Sequence, residues 1–200
     1  MGLETLTLSN TRVRDLTPLA KLAQLRVLGL EGTHVGDLAP LAGLARLEEL
    51  ALSGTPVSDL AAVTRLAGLR TLQLEATSVR DVSPLSGLAL ESLNLSSTPV
   101  GDIAALGSLA ELQTLALGAT QVRDLGALRH ALRLERLDLH ATPVVDLAPL
   151  GDLPALAFLD LRDVAIDDEQ VEQLRERRPE LVVAREPPRR HDHSKPRRRP

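Results

Sequence analysis

Histidine is the residue type in this sequence that most directly suggests chemistry, because its imidazole binds metals and transfers protons near neutral pH. The five histidines are His34, His130, His140, His191 and His193. His191 and His193 flank Asp192, and this spacing holds a metal only weakly because no further ligands sit in an ordered frame beside it. The sequence therefore predicts no physiological metal site and no cofactor.

Threonine and aspartate, which act as nucleophile and base in some enzymes, recur here at regular intervals. The recurring residues are Thr11, Thr33, Thr55, Thr77, Thr98, Thr120 and Thr142, with Asp15, Asp37, Asp59, Asp81, Asp102, Asp124 and Asp146. Seven copies at one phase are typical of a scaffold. Nucleotide-binding, H-E-x-x-H and G-x-S-x-G motifs are missing as well, and a uniform repeat offers no dry pocket. We expect that the protein is not an enzyme.

The composition favours a structure whose cross-section repeats. The chain has 44 leucines and one phenylalanine, with no tryptophan, tyrosine or cysteine, whereas a compact domain of this size fills irregular core spaces with aromatic side chains. The lack of cysteine excludes disulfides and thiolate chemistry and favours a reducing compartment. No signal peptide or membrane span is apparent, so the sequence predicts a cytoplasmic protein.

An internal repeat of 22 residues organises most of the chain. Leucine triplets begin at Leu3, Leu25, Leu47, Leu69, Leu90, Leu112, Leu134 and Leu156, with one interval of 21 residues after Leu69. The shared pattern is LxxLxLxxTxVxDLxPLxxLxx. Its L-x-L segment alternates with period two, which indicates a short strand with one buried face. Strands this far apart in sequence must be parallel and joined by crossovers.

The segment after each strand predicts a corner and a helical turn. We expect the threonine hydroxyls to satisfy backbone groups at the corner, where unpaired polar groups are costly. The aspartates are placed to cap the first N–H groups of the turn. Proline in the first turn, as at Pro18 and Pro40, removes a donor that has no helical partner.

This pattern resembles the leucine-rich repeats of the SDS22-like, internalin-type class over residues 3–155, through its 22-residue phase, its valine column and its Asp-Leu-x-Pro-Leu turn. The resemblance implies an α/β solenoid, a right-handed superhelix with a concave parallel β-sheet and short helical turns on the convex side. Threonine stands where the class usually has asparagine. The secretion signal, helical N-terminal cap and surface anchor of internalins are not apparent, so an adhesin role is not expected.

The sequence divides into three segments. Residues 1–155 form seven leucine-rich repeats, residues 156–184 form a C-terminal repeat with a capping helix, and residues 185–200 form a disordered basic tail. Asp167 and Gln170 have capping-box spacing, and Val171 and Leu174 supply the apolar stripe of the helix. The segment Leu181-Val182-Val183 is predicted to return as a final strand.

The two ends of the chain carry further expectations. Nothing stacks on one side of Leu3, Leu6, Leu8, Val13, Leu16, Leu19 and Leu22, so either the chain dimerises through this end or upstream sequence is missing. The tail holds seven basic and two acidic residues, against 16 basic and 25 acidic residues elsewhere. Three interpretations of the tail stay open: it contacts nucleic acid or an anionic membrane, it folds back on the scaffold, or it is solvated. The last two are favoured, and nucleic-acid binding is not expected.

The outward residues of the predicted sheet are small and mildly polar, except in the last two repeats. These present a predicted partner-binding set of Arg136, Asp138, His140, Phe158, Asp160 and Arg162. Arginine and aromatic residues dominate binding energy at interfaces. The alternative interpretation is that Phe158 packs beneath the cap helix while the charges form ordinary surface ladders.

The sequence therefore predicts a protein-interaction scaffold that binds an unknown protein partner on its concave sheet. Two alternatives stay open: a structural or vestigial module of a larger protein, and contact with nucleic acid or an anionic surface through the basic tail.

Overall fold

A single parallel sheet runs through the computed structural model, which describes residues 2–185. Its nine strands in that range follow each other in sequence order. The strands are β1 (Thr5–Thr7), β2 (Val27–Gly29), β3 (Glu49–Ala51), β4 (Thr71–Gln73), β5 (Ser92–Asn94), β6 (Thr114–Ala116), β7 (Arg136–Asp138), β8 (Phe158–Asp160) and β9 (Val182–Ala184). The predicted parallel stack, and the final strand, are confirmed.

The strand register keeps equivalent residues of successive repeats side by side. From β1 to β8, each central leucine pairs with the central leucine of the neighbouring strand, as Leu93 does with Leu72 and Leu115. Because side chains alternate across a strand, the central residues enter the leucine core and their neighbours point to the opposite side. We call that side the open face.

Short 3-10 helices line the side of the solenoid away from the sheet. They are Thr17–Lys21, Ala39–Leu41, Ala61–Arg65, Ser83–Leu85, Ala104–Ser108, Gly126–His130 and Ala148–Leu150. Each aspartate of the repeat accepts a hydrogen bond of 2.7–2.8 Å from the first N–H of its helix. The expected capping contact is therefore present, but the aspartate lies one residue before the N-cap position, which an aliphatic residue such as Leu16 occupies.

The threonine column closes the corner after each strand. Every threonine hydroxyl donates to the carbonyl oxygen three residues earlier, for example Thr120 Oγ1 to Leu117 O at 2.7 Å. The residue before each threonine has a positive φ, which glycine adopts without strain at Gly32 and Gly54. The predicted structural role of the threonines is confirmed.

The short interval between Leu69 and Leu90 leaves the sheet undisturbed. Thr71 still pairs with Ser92 across β4 and β5. The adjustment lies on the turn side, where Gly87 has a φ of +75° and a Cβ at that position would meet nothing within 4 Å. The backbone N–H of Gly87 donates to Ser108 Oγ at 3.0 Å. The repeat that is one residue short therefore differs from the others in its turn and not in its strand.

A ten-residue helix, α1 (Asp168–Arg177), covers the last repeat. Asp167 Oδ1 accepts from Gln170 N at 2.8 Å, and the Gln170 side chain donates to Val145 O and accepts from Leu147 N. Gln170 thereby fastens the first turn of the helix to the repeat beneath it, while Leu174 is buried against the core. No helix within residues 2–185 is long and apolar enough to cross a membrane.

The N-terminal end of the described chain exposes apolar surface. Leu3 is 47% exposed, and Leu6, Leu8, Val13, Leu19 and Leu22 are half-buried, while Leu16 is buried. The equivalent residues of the second repeat are at most 3% exposed. The leucines of the first repeat are therefore less covered than those of the second, and self-association through this end stays a prediction.

Arg185 is the one residue of the predicted tail that the structure describes. Its guanidinium pairs with Asp168 and donates to Ile166 O at 2.6 Å, so it is held against the cap. The other tail residues, including His191 and His193, lie outside the described range, and the expectations placed on them stay predictions.

Candidate protein-binding site

The predicted partner-binding residues lie together at the C-terminal end of the open face. Strands β7 and β8 place Arg136 beside Phe158 and Asp138 beside Asp160, and the next outward residue of each repeat follows. We call this set the C-terminal patch: Arg136, Asp138, His140, Phe158, Asp160 and Arg162.

Phe158 and Arg136 form the centre of the patch, where the ring is half-buried and the arginine is exposed. The guanidinium carbon of Arg136 lies 4.6 Å from the centroid of the Phe158 ring, a distance at which the cation is attracted to the face of the ring. Helix α1 packs against the 3-10 helix Ala148–Leu150 and not against β8. The alternative that placed Phe158 beneath the cap helix is therefore wrong: the ring lies on the opposite side of the sheet.

Asp160 is the buried anion of the patch, only 5% exposed. Its carboxylate accepts hydrogen bonds from the backbone N, Nε and Nη2 of Arg162, at 2.6–3.0 Å. Burial raises the pKa of this carboxyl, but hydrogen bonding to Arg162 and the charges of Arg162 and His140 outweigh it and hold the pKa below its ordinary value. At pH values above the ordinary carboxyl pKa, the Asp160–Arg162 pair therefore stabilises the folded protein. This stabilisation is lost as the pH falls through the lowered pKa of Asp160.

His140 is held against Asp138 of the same repeat. Its Nδ1 lies 2.8 Å from Asp138 Oδ1, and its backbone N–H donates to the same oxygen at 2.9 Å. The imidazole occupies space that a side chain at Gly118 would fill, since a Cβ built there would lie 2.0 Å from the ring. Gly118 thus makes room for the imidazole to lie flat on the open face.

The patch borders a shallow depression in the open face of about 190 Å³. Thr114 and Ala116 have small side chains, so the surface at β6 is lower than at β7 and β8. The rest of the lining comes from four patch residues and two strand leucines: Arg136, Asp138, Phe158, Asp160, Leu115 and Leu137. Within residues 2–185, no three histidine, aspartate or glutamate side chains are placed to hold a metal. The arrangement suits contact with a side chain of another protein.

Comparison with solved structures identifies the repeat. Internalin C2 from Listeria monocytogenes is 34% identical in sequence, with a TM-score of 0.83, and the match covers 91% of this chain and 80% of internalin C2. The chain belongs to the internalin-type leucine-rich repeat family. The predicted resemblance and the predicted α/β solenoid are thereby confirmed.

Two further solved structures share the leucine-rich repeat fold at lower identity. A leucine-rich repeat protein of Leptospira interrogans is 21% identical, with a TM-score of 0.83, and the match covers 90% of this chain and 48% of that protein. An internalin of Listeria monocytogenes (inlF) is 20% identical, with a TM-score of 0.56, and the match covers 92% of this chain and 68% of that one. No protein-family model matches the chain, and no curated protein matches it.

One residue of this leucine-rich repeat protein that lies beside the patch was not predicted from the sequence to face outward. Val182 in β9 pairs with Phe158 and is 59% exposed, so it extends the apolar surface of the ring across the next strand. It follows Phe158 by 24 residues instead of 22, and the repeat phase therefore does not predict which of the last valines faces outward.

Proposed function

We propose that this leucine-rich repeat protein is a non-enzymatic scaffold that binds a protein partner on the open face of its sheet, through the C-terminal patch. The observation that carries the proposal is the contact between the exposed Arg136 guanidinium and the half-buried Phe158 ring. Arginine and aromatic side chains supply most of the energy in protein interfaces. Elsewhere the open face offers mainly small or mildly polar side chains.

The fixed geometry of the patch supports the same proposal. Asp160 and Arg162 hold each other through several hydrogen bonds, and the Arg136 side chain rests on a ring. Side chains that are already ordered lose less conformational entropy when a partner binds. The absence of enzymatic activity is supported by the recurring threonines and aspartates, whose side chains are engaged in backbone hydrogen bonds.

Alanine at Arg136, Phe158 and Arg162 together is expected to weaken partner binding by about tenfold or more, because each truncation of an interface anchor costs about 1–2 kcal/mol or more. The partner is first captured from native cells on the immobilised chain and identified by mass spectrometry, and its Kd is then measured with both proteins purified. The control replaces Arg12, Arg80 and Arg123 by alanine, all exposed arginines away from the open face. A Kd unchanged by the patch variant contradicts the proposal.

Self-association is a second candidate role, favoured by the exposure of Leu3 and the half-burial of Leu6 and Leu8 at the N-terminal end. We propose that a second copy covers this apolar surface. Light scattering on the 200-residue chain is expected to give the mass of a dimer, and that of a monomer if Leu6 is replaced by glutamate; a monomeric wild type contradicts it. The cytoplasmic localisation and a role for the basic tail stay predictions.

A further inference from the structure

Arg136 differs from the other basic side chains of the C-terminal patch. Arg162 pairs with Asp160, and His140 lies against Asp138. Arg136 contacts the Phe158 ring, and no carboxylate within residues 2–185 forms an ion pair with it. Asp160 is thus neutralised by Arg162, and Asp138 is hydrogen-bonded to His140. Arg136 is the charged side chain of the patch that forms neither an ion pair nor a side-chain hydrogen bond within residues 2–185.

The stack on Phe158 leaves Arg136 suited to bind a carboxylate. A guanidinium is planar and presents its N–H donors in the plane of the group, so a ring beneath that plane leaves the donors at the edge free. A carboxylate accepts two of these donors in parallel, which is the strongest ion-pair geometry that arginine offers. The ring also restrains the long arginine side chain, which reduces the entropy lost on binding.

The surroundings of Arg136 supply an apolar contact on the side away from the depression. Val182 is 59% exposed next to Phe158. Neighbouring strands lie about 4.8 Å apart, so Arg136 and Val182 are separated by about 10 Å. An extended chain advances about 3.3 Å per residue, and a carboxylate and an apolar side chain about three residues apart would reach both.

We propose that the docking segment of the partner carries an aspartate or glutamate that binds Arg136, within about three residues of a large apolar side chain that packs on Phe158 and Val182. This rests on the proposed function, since it names the partner chemistry of the same patch. An acidic–apolar peptide segment is the occupant that satisfies both the uncompensated cation and the exposed apolar surface.

Two other occupants fit less well. The chain's own residues 186–200 contain six basic and two acidic residues, so they would be repelled by Arg136. A nucleic acid carries negative charge along its whole length. The first six repeats place Glu49 of β3, and Glu31 and Glu75 two residues after β2 and β4, on the open face, with no lysine or arginine at the equivalent outward positions. A short acidic segment confined to the C-terminal end avoids these glutamates.

The test selects peptides from a random library displayed on phage against the full chain, in parallel with Arg136→Glu and with Arg123→Glu as the matched control. Arg123 is exposed and lies outside the open face. Peptides selected by the wild type and by R123E are expected to be enriched in aspartate or glutamate near a large apolar residue. R136E is expected to lose that acidic preference and to bind the selected acidic peptide at least about tenfold more weakly. Circular dichroism confirms that each variant is folded.

The outcomes separate the inference from the proposed function. One outcome is that the selected peptides bind Phe158→Ala more weakly than the wild type but show no preference for acidic residues. This outcome overturns the inference and leaves the proposed function standing. Peptides that bind F158A and R136E as tightly as the wild type contradict both. A fluorescent oligonucleotide that binds the wild type and is lost in R136E assigns the arginine to phosphate and overturns the inference.

Discussion

Leu174→Asp is expected to lower the free energy of unfolding by about 3–5 kcal/mol, since it removes a buried aliphatic side chain and places an unpaired charge in the core. Leu174 is 3% exposed and belongs to the face of α1 that packs on the last repeat. A solenoid depends on contacts between neighbouring repeats. Releasing the helix therefore exposes the leucines beneath it and leaves β8 and β9 less well supported.

Urea denaturation followed by far-UV circular dichroism measures this loss, because the chain has no tryptophan or tyrosine to report by fluorescence. Gln173→Asp adds a carboxylate on the exposed side of the same helix and removes the hydrogen bond from Gln173 to Glu169, so it is expected to cost at most about 1 kcal/mol. Partner binding should weaken with L174D and not with Q173D, since Val182 and Phe158 adjoin the covered repeat. Equal midpoints for the two variants would show that the helix does not stabilise the solenoid.

Leu93→Ala is expected to destabilise the protein by about 2–5 kcal/mol, the usual range for a leucine-to-alanine cavity in a packed core. Leu93 is 1% exposed at the centre of β5, between Leu72 and Leu115. The same substitution at Leu6 removes a half-buried side chain that has a strand neighbour on one side only, Leu28. In the monomer, at protein concentrations too low for self-association, it should cost less than half as much.

The comparison isolates the contribution of stacking, since both leucines hold the same position in the repeat. Unfolding in urea gives both free energies, and the slope with denaturant shows whether the transition stays cooperative. A Leu6→Ala variant as destabilised as Leu93→Ala would mean that the N-terminal leucines are covered in solution, as self-association through that end requires. Measuring both variants over a range of protein concentrations distinguishes that case.

The sequence predicted the fold well because every repeat carries the same residue pattern. Leucine triplets located eight of the nine strands within the described residues, and the threonine and aspartate columns marked the corners and turns. The aspartates were placed one residue too close to the helices. Spacing alone does not separate an N-cap contact from a hydrogen bond made one residue earlier, because both satisfy the first free N–H.

The candidate site was predicted less completely, since it depends on where the repeat stops being regular. Arg136 and Phe158 hold equivalent positions in consecutive repeats, so their adjacency follows from the 22-residue phase. The contact between the guanidinium and the ring does not follow from the repeat phase, because it depends on side-chain torsions. Val182 lies beyond the helix α1, and its direction is fixed only by the register with β8. Gly118 gave no sign in sequence that an imidazole occupies the space above it.

The shortened repeat has a practical consequence. At Ser86 and Gly87 the chain is one residue shorter than in the other repeats, and the register of β4 and β5 is unchanged. The space that a Cβ at Gly87 would enter is empty. A loop of this kind tolerates additional residues. A small reporter, such as a peptide tag or a single cysteine for dye attachment, is best grafted at this point, where it reports on the protein while leaving the surface presented to a partner unobstructed.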